Sequence, residues 1–148
     1  MEQTEIRRPM PEILVVDDTP ENLRLLTKIL KKQGYFVRPA RDGNSALESV
    51  YSRPPDLILL DIVMPELDGF EVCEILKADE KTQSIPVVFI TALEDVSSKV
   101  KGFKAGGVDY ITKPFYEEEV LARVGVHLTI RQLQFSLQQE NDRFRILE

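Results

Sequence analysis

The sequence predicts an α/β fold: a doubly wound, five-stranded parallel sheet in the order 2-1-3-4-5, continued by an extended C-terminal helix. Three observations carry this. Short unbroken apolar runs such as Ile13-Leu14-Val15-Val16 and Leu57-Ile58-Leu59-Leu60 fit strands buried on both faces. Segments with helical apolar spacing separate them. Most of the notable polar residues stand where a run ends: Asp17 and Asp18, then Asp61, Thr91 and Lys113.

The elements follow in order. The first strand, 13–16, ends at Asp17-Asp18. Thr19 is placed to cap a helix that opens on Pro20, carries Leu23, Leu26 and Leu30 on one face, and stops at Gly34. A second strand spans 35–40 and a helix 45–52, ending before Pro54-Pro55. The third strand, 57–60, leads to Asp61 and a loop over 62–69 punctuated by Pro65 and Asp68-Gly69. A helix over 70–78, a strand over 86–90 ending at Thr91, a helix over 96–105, and a short strand over 109–112 ending at Lys113-Pro114 come next. From Tyr116 onward the pattern is helical.

At 148 residues the chain suits one domain with some length to spare. The expected division is a flexible leader over 1–11, a folded domain over 12–127, and a helical extension over 128–148. A hydrophobic fraction of 43% and a charged fraction of 30% describe an ordinary globular protein. The net charge of −6 disfavours direct nucleic-acid binding, which needs Lys and Arg to neutralise phosphates. The single cysteine, Cys73, rules out an intrachain disulfide and reads as a small core residue. No stretch approaches a membrane span, and the charged N-terminus has no signal-peptide core, so the expected compartment is the cytoplasm.

In an open parallel sheet, ligands bind outside the carboxyl ends of the strands at a switch point of the strand order. The order 2-1-3-4-5 puts that point between strands 1 and 3. It brings Asp17 and Asp18 beside Asp61, with Thr91 and Lys113 nearby. Three neighbouring carboxylates repel one another, and a Mg²⁺ ion bound by oxygens relieves the conflict. A lysine and a hydroxyl on the far side suit a transferring phosphoryl group, and a carboxylate can itself be the nucleophile. Taken singly, Asp17 or Asp18 reads equally well as a helix cap, Thr91 as a capping hydroxyl and Lys113 as a solvated charge. Five such residues at successive strand ends do not reduce to capping.

The chain resembles the response-regulator receiver domains of two-component signalling, including chemotaxis-type regulators. The matching motifs are Val15-Val16-Asp17-Asp18, Leu60-Asp61-Ile62-Val63-Met64-Pro65 with Asp68-Gly69, Ile90-Thr91-Ala92, and Asp109-Tyr110-Ile111-Thr112-Lys113-Pro114-Phe115. The resemblance covers about 12–127 and implies a flavodoxin-like fold. It implies that Asp61 accepts phosphoryl from a phosphohistidine on a sensor histidine kinase or phosphotransfer protein. Asp18, Asp61 and the carbonyl of Val63 would bind Mg²⁺, with Asp17 assisting. Lys113 would pair with the phosphoryl oxygens. Thr91 would hydrogen-bond to the phosphoryl group, and Tyr110 would turn inward as Thr91 moves. Ala92 leaves room for the phosphoryl group. A cis Lys113-Pro114 bond is expected, and the readout surface would be the fourth helix, fifth strand and fifth helix. Val63 and Leu93 stand at the two positions that influence hydrolysis in this family. Both are apolar, which implies a long-lived phosphoryl group. Such a domain is a signalling switch and not a turnover enzyme.

Other readings fit less well. A haloacid-dehalogenase-type phosphatase wants a second Asp two residues after its nucleophile, where this chain has Val63 or Thr19. A flavin module wants a Ser/Thr/Gly-rich phosphate loop where Asp17-Asp18 stand. The strongest rival is a receiver-like interaction module that works without phosphorylation. The lone His127 lies outside any matching motif and reads as a surface or seam residue.

Past the domain, Ile130, Leu133, Leu137, Phe144 and Leu147 fall on heptad spacing, preceded in register by Val126 and interrupted by Glu140. This predicts a short coiled coil: a signalling helix that forms a homodimer and leads to a C-terminal output domain of a longer protein. A helix packed back on its own domain is the competing reading.

Overall fold

The computed structural model describes residues 10–147, with side chains through Arg145. All but Met10 and Pro11 of the expected leader therefore lie outside the described residues. The order is β1 (Glu12–Val16), α1 (Pro20–Lys32), β2 (Phe36–Ala40), α2 (Gly43–Ser52), β3 (Leu57–Leu60), α3 (Gly69–Lys77), β4 (Val87–Thr91), α4 (Val96–Ala105), β5 (Asp109–Thr112) and α5 (Glu117–Leu147). The strands form one parallel sheet ordered β2-β1-β3-β4-β5, as the strand-and-helix alternation predicts.

The unbroken apolar runs are explained by the two layers they serve, since successive strand side chains point to opposite faces. Leu14, Val16, Ile58, Leu60, Val87 and Phe89 face α2 and α3, meeting Ala46, Val50, Phe70, Val72 and Leu76. Ile13, Val15, Leu57, Leu59, Val88 and Ile90 face α1 and α5, meeting Leu26, Ile29, Leu30, Val120 and Val124. Most of these side chains are fully buried, each stabilising the fold by about 1.5–3 kcal/mol relative to exposure. Cys73 is buried among them.

Several boundaries shift for reasons of hydrogen bonding. The N–H of Tyr35 donates to the Leu30 carbonyl, so β2 starts one residue late. The helix expected at Ser45 begins at Gly43, because Asp42 accepts from the Ser45 N–H at 2.7 Å. α3 begins at Gly69, capped by Asp68, which accepts from Glu71 N–H while the Glu71 carboxylate accepts from Asp68 N–H. Thr19 occupies the N-cap of α1 but makes no side-chain capping bond. Asp17 takes over, accepting from the Thr19 N–H at 2.9 Å. Gly34 follows α1 at φ +104°, a left-handed conformation that glycine adopts without penalty.

His127 is corrected outright. It is no surface residue: its side chain is 14% exposed and its Nε2 lies 2.9 Å from Asp109 Oδ2. Arg123 donates to both oxygens of the same carboxylate, at 2.9 and 3.0 Å. Asp109 thus ties β5 to α5. Burial alone would push its pKa up, but the contacts from His127, the Tyr110 N–H and Arg123 outweigh burial and hold it below the usual carboxylate value.

Candidate functional site

The parallel register brings the strand ends together. Val16 pairs with Leu60, and the Asp61 N–H donates to the Val16 carbonyl at 2.9 Å, so the residues after β1 and β3 emerge side by side. Across the sheet, Thr91 pairs with Thr112 and the Lys113 N–H reaches the Thr91 carbonyl at 2.7 Å. The five residues singled out in the sequence therefore share one edge.

Asp17, Asp18 and Asp61 each present an oxygen within 4.8 Å of the others. The side chains of Asp17 and Asp61 are 0% and 5% exposed, while Asp18 is half-buried. Lys113 bridges the two deeper acids, with its Nζ 2.8 Å from Asp17 Oδ2 and 3.2 Å from Asp61 Oδ2. The Lys113-Pro114 peptide bond is cis.

The charges do not balance. Burial raises the pKa of Asp61. Lys113 opposes the rise, the Asp17 charge adds to it, and the Val63 N–H opposes it. Burial also works against the Lys113 charge, but the hydrogen bond to Asp17 and the Asp61 charge outweigh it and raise the ammonium pKa. One ammonium faces three carboxylates. An all-oxygen donor set with excess negative charge fits a hard divalent cation, with Asp17, Asp18 and Asp61 as the side chains that would hold it.

Thr91 is fully buried, and its hydroxyl accepts from the Leu93 N–H at 3.5 Å. Tyr110 lies inward at 8% exposure, its Oη donating to the Leu93 carbonyl at 2.8 Å. Both side chains thus grip the loop after β4. Lys99 lies over the Tyr110 ring, 5.8 Å from its centroid. Burial raises the Tyr110 pKa, and the charges of Asp95 and Asp61 reinforce it. Val63 is exposed on the loop after β3 and Leu93 is half-buried against the core.

Sequence reasoning treated Gly69 as loop punctuation and as part of a matching motif, without a structural role. Its N–H donates to the Ile62 carbonyl at 2.9 Å, and a Cβ there would lie 2.4 Å from the Asp61 carbonyl oxygen. Only glycine lets α3 start so close to the backbone of Asp61. The Asp68-Gly69 pair was the available signal, but close backbone approach is a tertiary property.

Comparison with known proteins decides what the site belongs to. The family model for the response regulator receiver domain matches residues 13–125. The chain belongs to the response regulator receiver family. The DNA-binding dual master transcriptional regulator RpaA of Synechocystis sp. is 46% identical over 115 residues, covering 78% of this chain and 48% of the relative. Response regulator PleD of Caulobacter vibrioides is 46% identical over 112 residues, covering 76% of this chain and 25% of the relative. A solved response regulator structure from Chloroflexus aurantiacus superposes with a TM-score of 0.78 at 35% identity, covering 81% of this chain and 98% of that one. The receiver spans about half or less of the length of these two curated relatives. Among its described residues, no helix is long and apolar enough to cross a membrane.

Proposed function

We propose that this receiver is a phosphorylation-controlled switch in which Asp61 takes a phosphoryl group from the phosphohistidine of a sensor histidine kinase or phosphotransfer protein. The observation that carries the reading is the joint placement of Asp17, Asp18, Asp61 and Lys113 at one sheet edge. An Asp61 carboxylate oxygen forms the new O–P bond as the N–P bond of the donor breaks; the electron pair returns to the ring nitrogen, and a donor ring protonated on its other nitrogen leaves as neutral imidazole. Asp17, Asp18 and Asp61 would hold Mg²⁺, with the Val63 carbonyl as the further ligand we propose, and the ion would supply the positive charge that lets phosphoryl oxygens approach three carboxylates.

The chain's own residues do the rest. Lys113 turns from bridging Asp17 and Asp61 to pairing with a phosphoryl oxygen. Thr91 exchanges its long contact with Leu93 N–H for the phosphoryl group. The Leu93 carbonyl, held by Tyr110, moves with that loop, so Thr91 and Tyr110 couple the site to α4 and β5. The phosphoryl group shifts the population toward the state that makes these contacts. The domain acts as a cytoplasmic signalling switch at the N-terminal side of an output module in a longer chain. That it matches only 48% and 25% of two longer relatives supports a place in a longer chain.

The test is intact mass after incubation with acetyl phosphate, with and without Mg²⁺, on the wild type and Asp61→Asn. One phosphoryl adduct that needs Mg²⁺ and is lost in the variant is expected. No adduct on the wild type would favour an interaction module that works without phosphorylation. An adduct that persists in Asp61→Asn would move the acceptor elsewhere.

A further inference from the structure

A cavity of about 230 Å³ opens between α3, the loop leading into β4, and α5. Pro86 and Val108 in its wall precede β4 and β5, so it lies at the sheet end opposite Asp61. Lys77, His127 and Arg131 line it together with Gln83, Ser84 and Gln134, and no lining residue is acidic. The chain as a whole carries a net charge of −6, so this concentration of positive charge is local.

Lys77 is held at both ends. Its stem lies against Gly106, where a Cβ would meet the Lys77 Cγ at 2.5 Å. Its ammonium donates to the carbonyls of Gln83 and Ile85 at 2.9 and 2.6 Å. An ammonium has three protons, so one remains. Among the described residues, no carboxylate pairs with it. Arg131 brings a second permanent charge to the same loop, donating to the Ser84 carbonyl at 2.7 Å. Burial pushes the Lys77 pKa down, and the Arg131 charge adds to that. Neighbouring Cys73 offers no relief, because burial pushes its thiol up to about 11 and leaves it neutral at pH 7. The His127 Nε2 lies 2.9 Å from Asp109, but Arg123 donates to both oxygens of that acid and already matches its charge. A lysine that merely capped the 83–85 loop would account for two of its protons. It would not account for two further basic side chains meeting at one cavity without an acid.

We propose that this cavity is a binding site for a small phosphate-class oxyanion, either free phosphate or the phosphate end of a small ester. The third Lys77 proton and the Arg131 guanidinium supply charge-assisted hydrogen bonds, and Gln83, Ser84 and Gln134 supply neutral donors. Because Lys77 is fixed before the anion arrives, little ordering cost is left for binding. The volume falls below the roughly 300–1,000 Å³ that takes drug-sized ligands, which limits the occupant to a small one. A bound anion joins α3, the loop before β4 and α5, and so pins the root of the long helix from the end of the sheet remote from the phosphoacceptor. This inference does not rest on the phosphoacceptor reading.

The test is an NMR titration of the full chain with inorganic phosphate, at pH 7, constant ionic strength and with EDTA present. Without a divalent cation the three carboxylates at the other sheet end repel the same anion, which separates the two sites. Saturable shifts are expected at the amides of 83–86 and 127–134, with a dissociation constant of ~1 mM. Gln134→Glu adds a negative charge at an exposed helical position without changing its size, and should weaken binding at least about tenfold. Lys77→Met should do the same; since it also strips the 83–85 loop of two hydrogen bonds, Gln134→Glu decides the matter if that variant fails to fold. Glycerol phosphate in place of phosphate distinguishes the sources: tighter binding marks the end of an ester, equal or weaker binding marks the free anion. Shifts that grow linearly into tens of millimolar phosphate, saturable shifts centred on Asp17, Asp18 and Asp61, or binding indifferent to Gln134→Glu would each overturn the proposal.

Discussion

Replacing Asp61 with asparagine removes one of three crowded carboxylates while keeping its shape. In the metal-free domain Asp61 meets two repulsive neighbours, Asp17 and Asp18, within 4.8 Å, and one attractive neighbour, Lys113, at 3.2 Å. At an effective dielectric near 20, each repulsion is worth about 3.5 kcal/mol and the attraction about 5 kcal/mol, leaving a net repulsion of about 2 kcal/mol. The desolvation of a nearly buried carboxylate adds to it with the same sign. Asp61→Asn is therefore expected to stabilise the metal-free domain at pH 7 by about 2 kcal/mol, or roughly 4–8 °C in Tm for a chain of this size. The pH dependence follows from the raised native pKa of Asp61. Between its unfolded and folded pKa values the folded state holds more protons, so wild-type stability falls as pH rises through that window. The advantage of Asp61→Asn is thus full above the folded value and shrinks as acid protonates Asp61. Urea unfolding in EDTA from pH 4 to 8 measures both effects, and saturating Mg²⁺ should stabilise the wild type more than the variant. A variant less stable than the wild type at pH 7 without metal, or a gap that widens on acidification, would refute the reasoning.

Lys113→Met leaves Asp17 and Asp61 without their shared cation and should cost about 3–5 kcal/mol of stability at pH 7, measured by urea unfolding, with part of the loss recovered by Mg²⁺. Gly69→Ala drives a methyl group into the Asp61 backbone, where no side chain can yield; a loss of about 1–3 kcal/mol in the same assay is expected, and a neutral result would mean that α3 starts farther away than the structure shows. Asp109→Asn loosens α5 from β5 and should cost about 1.5–3 kcal/mol at pH 7. Because the native pKa of Asp109 is lowered, its contribution is present above the ordinary carboxylate value and lost as pH falls through the folded one, so wild type and variant should converge in strong acid. Finally, Val63 and Leu93 offer no side-chain group to orient a water, so the Asp61 phosphoryl group is expected to persist for minutes or longer; a half-life of seconds by phosphate release would remove that argument.

How much was legible varied with the kind of interaction. Buried strands announce themselves, because a strand covered on both faces must be apolar at every position, as at Leu57-Ile58-Leu59-Leu60. The strand ends were legible because the first charged residue after such a run marks where the apolar pattern stops, although Asp17 and Asp61 themselves stay buried at the sheet edge. The first turns of α2 and α3 were placed late because a glycine opens each helix, at Gly43 and Gly69, and is a poor helix former taken alone. His127 was misplaced because nothing local distinguishes it. Its partner Asp109 is eighteen residues away on another element, and only the docking of α5 on the sheet brings them to 2.9 Å.

By itself, then, the sequence determined the alternation of elements, the strand-end residues and the heptad spacing of the extension, since these are periodic or local properties of one chain segment. Only the tertiary structure decided that Asp17 uses one oxygen to start α1 and the other to hold Lys113. It alone decided that Gly69 must lack a side chain, and that Val120 and Val124 of α5 pack on the core while Leu133 and Leu137 stay exposed. Each of these depends on distances between elements, and sequence spacing cannot encode them until the sheet register and helix docking are fixed.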